Sequence, residues 1–122
     1  MTPEQIDAIK LCVYCGEIAT ERDHVPAKRV RRILLRAGIA FERAIVDSCK
    51  SCNSMLGGKP LVTLADRRAY IRHKLWRKNW KLITSPSWGD SEIAQLGESL
   101  GTWVRSMQQR KQRILRRIGL AR

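Results

Sequence analysis

The sequence predicts an α+β protein, mostly helical, with a small zinc-clipped core followed by two long basic C-terminal helices. Three observations carry that prediction. Two CxxC pairs, Cys12/Cys15 and Cys49/Cys52, stand far apart in a chain of 122 residues. Two short β-forming stretches between them flank a helical one. Beyond them, apolar residues recur at helical spacing through two long segments. The length suits one compact domain. Residues 1–62 are expected to form the zinc-stabilised core, and residues 63–122 a basic helical extension packed on or beside it.

Element by element, Pro3 fits a first helical turn, so "EQIDAIK" reads as a short helix. "CVYCGE" reads as a tight metal-binding knuckle, with Gly16 just after its second cysteine. "EIATERDHV" reads as a strand running into a loop. In "PAKRVRRILLRAG", Val30, Ile33 and Leu34 share a helical face and Gly38 suits a stop. "FERAIVDS" reads as a second strand, with Ile45 and Val46 as β-formers. "CKSCNSML" begins a helix that Gly57-Gly58 ends. Thr63 caps the next helix, Thr63 to Ile83, with Asp66 at its third position. Its stripe is Leu64, Ile71, Leu75 and Leu82, with Arg67, His73, Lys74, Arg77, Lys78 and Lys81 assigned to the far side. "SPSWGD" is a turn. Asp90 or Ser91 then caps one last helix from Glu92 to Ile118, whose stripe runs through Ile93, Leu96, Leu100, Trp103, Val104, Met107, Ile114, Leu115 and Ile118. Trp76 and Trp80 read as core, with stacking on unpaired bases as the alternative.

The composition, 43% apolar and 29% charged, is that of a globular chain rather than a disordered one. No apolar run reaches the length of a membrane span, and "MTPEQIDAIK" lacks the apolar core of a signal peptide. A reducing, cytoplasmic setting follows, in which paired CxxC motifs are metal ligands rather than disulfides. The 24 Lys and Arg against 11 Asp and Glu leave a net charge of +13. Residues 1–50 account for +2 of it and residues 51–122 for +11. That excess points to a polyanionic partner, nucleic acid above all, without separating DNA from RNA.

The spacing C-x2-C-x33-C-x2-C presents four thiolates to one ion. A closed tetrahedron of four thiolates has no open position, so zinc here is structural. Redox chemistry, an iron–sulfur centre or four unpaired thiols are the alternatives.

Inside the zinc loop lies "DHVPAK". Asp23 offers a hard oxygen ligand for a divalent cation. Histidine titrates near neutrality, so His24 suits a general base. Asn53, directly after Cys52, offers a neutral carbonyl oxygen beside the zinc clip. Phosphodiester hydrolysis needs such parts: a base to activate water and a metal to stabilise charge.

"CVYCG", "DHVPAK" and "CKSCN" together resemble the HNH, or ββα-metal, endonucleases. The four-cysteine variant with Asn after the last Cys is similar to phage recombination endonuclease VII. The resemblance covers residues 12–59. It implies a β-hairpin around Asp23 and His24, then a helix bearing Asn53. It implies that Asp23 and Asn53 hold a catalytic Mg2+ or Mn2+ while His24 deprotonates water. It implies a hydrolase of DNA, an endonuclease or nickase, in the cytoplasm of a bacterial or phage-infected cell. The second strand, "RAIVDSC", departs from the pattern: it lacks the Asn that usually steadies the loop bearing the base, and Asp47 or Ser48 is the candidate substitute. The alternative reading is therefore a non-catalytic zinc-stabilised nucleic-acid binder with a degenerate HNH fold.

Lys28, Arg29, Arg31 and Arg32 are expected to flank the scissile phosphate. Arg67, Lys74, Arg77, Lys78 and Lys81 are expected to follow the backbone, with Arg110, Arg113 and Arg117 extending that surface. No base-reading motif occurs, so specificity is expected to be weak, with shape or junction preference. A homodimer seam through the last helix is one use of its stripe, which Lys111 interrupts.

Overall fold

The computed structural model describes residues 2–7 and 9–119. Its elements, in chain order, are α1 (Pro3–Asp7), β1 (Glu21–Val25), α2 (Lys28–Arg36), β2 (Ala44–Ser48), α3 (Lys50–Leu56), α4 (Leu64–Ile83), α5 (Asp90–Ala94) and α6 (Glu98–Ile118). The fold is mixed α/β and mostly helical, as the sequence predicts. Ala8, inside the expected first helix, lies outside the described residues. The chain divides into two compact units, Met1–His73 and Lys74–Arg122. The division falls inside α4, so the first turns of that helix belong with the cysteine knuckle. Among the described residues no helix is long and apolar enough to cross a membrane.

In the first unit, β1 and β2 pair antiparallel, with Asp23 opposite Val46 and His24 opposite Ile45. Side chains alternate across a strand. Asp23 and Val25 are accordingly buried, while Arg22 is exposed and His24 half-buried. Gly16, at φ +78°, closes the knuckle through its N–H to the Cys12 carbonyl at 2.9 Å. The knuckle leans on β2 through Val13 N–H to the Asp47 carbonyl, also 2.9 Å. On α2 only Val30 is buried; Ile33 is exposed and Leu34 half-buried. The unit's core is small: Cys12, Tyr14, Cys15, Val25, Val30, Cys49, Cys52, Leu56 and Ile71, with Asp23, Ser48 and Arg67 buried among them.

The predicted cap of α4 is present, with Thr63 Oγ1 accepting from Asp66 N–H at 3.1 Å. Such a cap contributes about 1 kcal/mol. The second unit departs from the expected single helix between Glu92 and Ile118. The chain breaks after Ala94, and α6 starts at Glu98 because Gly97 takes φ +82°. Glu92 caps α5 by accepting from Gly89 N–H at 3.1 Å. Short α5 then packs on α6 at Gly101, where an added Cβ would lie 3.2 Å from the Ile93 carbonyl oxygen. Ile93, Val104 and Ile118 are buried. Leu100 and Trp103, on the stripe read as core or dimer seam, are 50% and 60% exposed, since α5 covers only one side of α6 near its start. Trp76 and Trp80, also read as core, are 44% and 48% exposed.

Candidate metal centre and nucleic-acid interface

Cys12, Cys15, Cys49 and Cys52 are all buried, and their ligand atoms lie within 4.8 Å of one another. The Cys15 and Cys49 sulfurs are 3.6 Å apart. A tetrahedron with 2.3 Å metal–sulfur arms has edges of about 3.8 Å, so the four sulfurs suit one zinc-like ion. They are too far apart for disulfides, which need about 2 Å. Cys49 also caps α3, its sulfur accepting from Cys52 N–H at 3.4 Å. Within this cluster the Cys12 and Cys52 thiols are driven in opposite directions. Hydrogen bonds from Cys15 and Cys52 pull the Cys12 thiol far down. Hydrogen bonding with Cys12 and Cys15, reinforced by burial, pushes Cys52 far up. A dication removes that conflict by taking the place of the shared protons.

Asp23 is not presented to solvent. Its Oδ2 accepts from the Tyr14 hydroxyl at 2.6 Å and from Arg67 Nη2 at 2.5 Å. Arg67 Nε also donates to the Tyr14 hydroxyl at 3.0 Å. Burial, then the bond to Asp23, raises the Tyr14 phenol above its ordinary range. Burial pulls the Arg67 guanidinium down, but Tyr14 and Asp23 outweigh it, so the group stays charged. This corrects the assignment of Arg67 to the nucleic-acid surface, because the residue is 0% exposed. Arg67 lies four residues before Ile71, on the buried face of α4.

Asn53 sits in the first turn of α3, and its Nδ2 donates to Glu21 Oε2 at 2.5 Å. Asp23 and Asn53 are thus engaged by different partners rather than by one another. His24 has its Nδ1 buried without a hydrogen-bond partner, which leaves Nε2 as the nitrogen that meets solvent. Neither candidate brace acts on that loop: the Ser48 hydroxyl is buried and unpartnered, and Asp47 faces Arg22 across the hairpin. Arg31 braces it instead. Its Nε donates to the Pro26 carbonyl at 2.9 Å, and its Nη2 to the carbonyls of Val25 at 3.3 Å and Ala44 at 3.2 Å. These bonds join the turn after His24 to the start of β2. Arg31 therefore turns Nε and Nη2 to the backbone rather than to a phosphate.

Lys28, Arg29 and Arg32 are exposed on α2, as are Arg77, Lys78 and Lys81 on α4 and Arg110 and Arg113 on α6. Lys74 and Arg117 are half-buried. Sequence reasoning missed Tyr14 and Glu21, and named Arg31 for a phosphate rather than for the backbone it holds. Tyr14 alone carried a local signal, as an aromatic between two ligand cysteines. No family description, curated protein or solved structure matches the chain.

Proposed function

We propose that the chain is a nucleic-acid-binding protein whose zinc-stabilised unit is an HNH-type endonuclease or nickase acting on DNA, with His24 as general base. The setting of His24 carries this reading. Its imidazole stands on β1 with Nδ1 enclosed and Nε2 outward, on the strand that leads into cationic α2. Nε2 is positioned to take a proton from a water attacking phosphorus. Lys28, Arg29 and Arg32 supply positive charge for the phosphate as negative charge builds on its oxygens. Arg31 acts as a positioning residue, holding the backbone after His24.

A catalytic Mg2+ or Mn2+ on Asp23 and Asn53 does not fit the arrangement. The Asp23 carboxylate faces a guanidinium, which opposes a second cation, and the Asn53 amide is turned to Glu21. The same observation favours a second reading, a zinc-stabilised nucleic-acid binder without chemistry.

Nicking of supercoiled plasmid separates the two. Zinc-loaded protein, assayed with and without Mg2+ or Mn2+, is expected to nick, and His24→Ala to abolish nicking while keeping its zinc. DNA binding without nicking under either metal would leave the binder. With about six to eight exposed cations on phosphates, log K should fall with log salt at a slope of about −5 to −7. A slope near zero would remove both readings.

A further inference from the structure

We propose that a groove in the second unit, between the end of α4 and α6, binds an unpaired DNA strand by stacking its bases on tryptophan. The groove has a volume of about 640 Å³. Trp80, Trp88 and Trp103 line it, at 48%, 40% and 60% exposure. Lys78, Lys81 and Arg110 stand along it, and no acidic side chain lines it. The surrounding unit carries eleven Lys and Arg against three Asp and Glu, so the groove's field favours an anion.

The loop bearing Trp88 is pinned in place. Trp88 N–H donates to Gln108 Oε1. Lys111, buried on α6, donates from Nζ to the Ser85 carbonyl at 2.5 Å and to Ser87 Oγ at 3.2 Å. The Lys81 ammonium lies 5.9 Å from the Trp80 ring centroid, which leaves Trp88 and Trp103 as the better stacking faces. An apolar aromatic floor with cations alongside matches the two surfaces of a single strand, base faces and phosphates. A duplex hides its base faces and offers only the phosphates. Stacking is independent of the hydrolytic reading; the choice of DNA over RNA rests on it.

All four tryptophans of the chain lie in this unit, so indole fluorescence reports on it alone. Full-length zinc-loaded protein is titrated with oligothymidylate of about 12 nucleotides, with oligouridylate of equal length, and with duplex. Oligothymidylate is expected to quench, and Trp103→Ala and Trp88→Ala to weaken its binding about tenfold. Duplex affinity of those variants should stay within about twofold, since phosphate contacts persist. Unchanged oligothymidylate affinity in both variants would overturn the site. Tighter oligouridylate, or quenching by polyglutamate instead, would overturn the assigned occupant. His24→Ala is expected to lose nicking and still quench normally, so wild-type protein that quenches but does not nick condemns the nuclease reading alone. Intact nicking with variant-insensitive binding condemns the groove alone.

Discussion

The two units reach stability by different means. The first gathers four cysteines and an Asp–Tyr–Arg cluster around a short hairpin, and its centre is polar. The second holds helices together with Ile93, Val104 and Ile118, a close approach at Gly101, and one buried lysine. The difference teaches where each unit is vulnerable. A core built from ligands and a charge pair fails when one member is lost, because the remainder is buried without compensation. A core built from helix packing loses stability in smaller steps.

Metal removal tests that contrast most strongly. Structural zinc contributes on the order of 10 kcal/mol in small domains. Chelation, or Cys52→Ser, is expected to unfold the first unit while tryptophan emission and about half of the helical circular dichroism persist. Loss of both signals together would mean the units do not fold separately. Next in size is Asp23→Asn, which leaves the Arg67 guanidinium buried and unpaired at about 3–5 kcal/mol. Adding Arg67→Met should restore part of it in denaturant titration. An Asp23→Asn protein of wild-type stability would reopen a ligand role for Asp23. In the second unit, Lys111→Ala removes two anchors of the 85–88 loop and should cost about 1–3 kcal/mol in thermal unfolding. The smallest effect is expected from Gly101→Ala. Helix propensity gains about 1 kcal/mol, but the Cβ meets backbone at 3.2 Å, so a net loss of about 1 kcal/mol should appear as a lower Tm.

The cysteine centre was legible because each CxxC turn is local, and four such ligands suit one ion. The cap at Thr63 was legible for the same reason. Asp23 was not, since its partner lies 44 residues away and nothing local announces it. Arg67 was half-legible: its spacing from Ile71 put it on the buried face, but its charge argued for solvent. On α6 the apolar stripe was legible as core or as a seam between copies, without a way to choose along its length. Burial needs a covering partner as well as a stripe, and Leu100 and Trp103 lack one sufficient to hide them. The break at Gly97 was visible as a glycine but was overridden by the periodicity running through it.

The Arg67–Asp23 pair also ties the hairpin to a segment that lies beyond all four cysteines in the chain. The last of the four clustered cysteines, Cys52, precedes Arg67 in the chain. The cysteine cluster is therefore complete in the chain before Asp23 has its counter-charge, which only the first turns of α4 supply. The metal marks where the hairpin will stand, and the arginine that arrives later completes it.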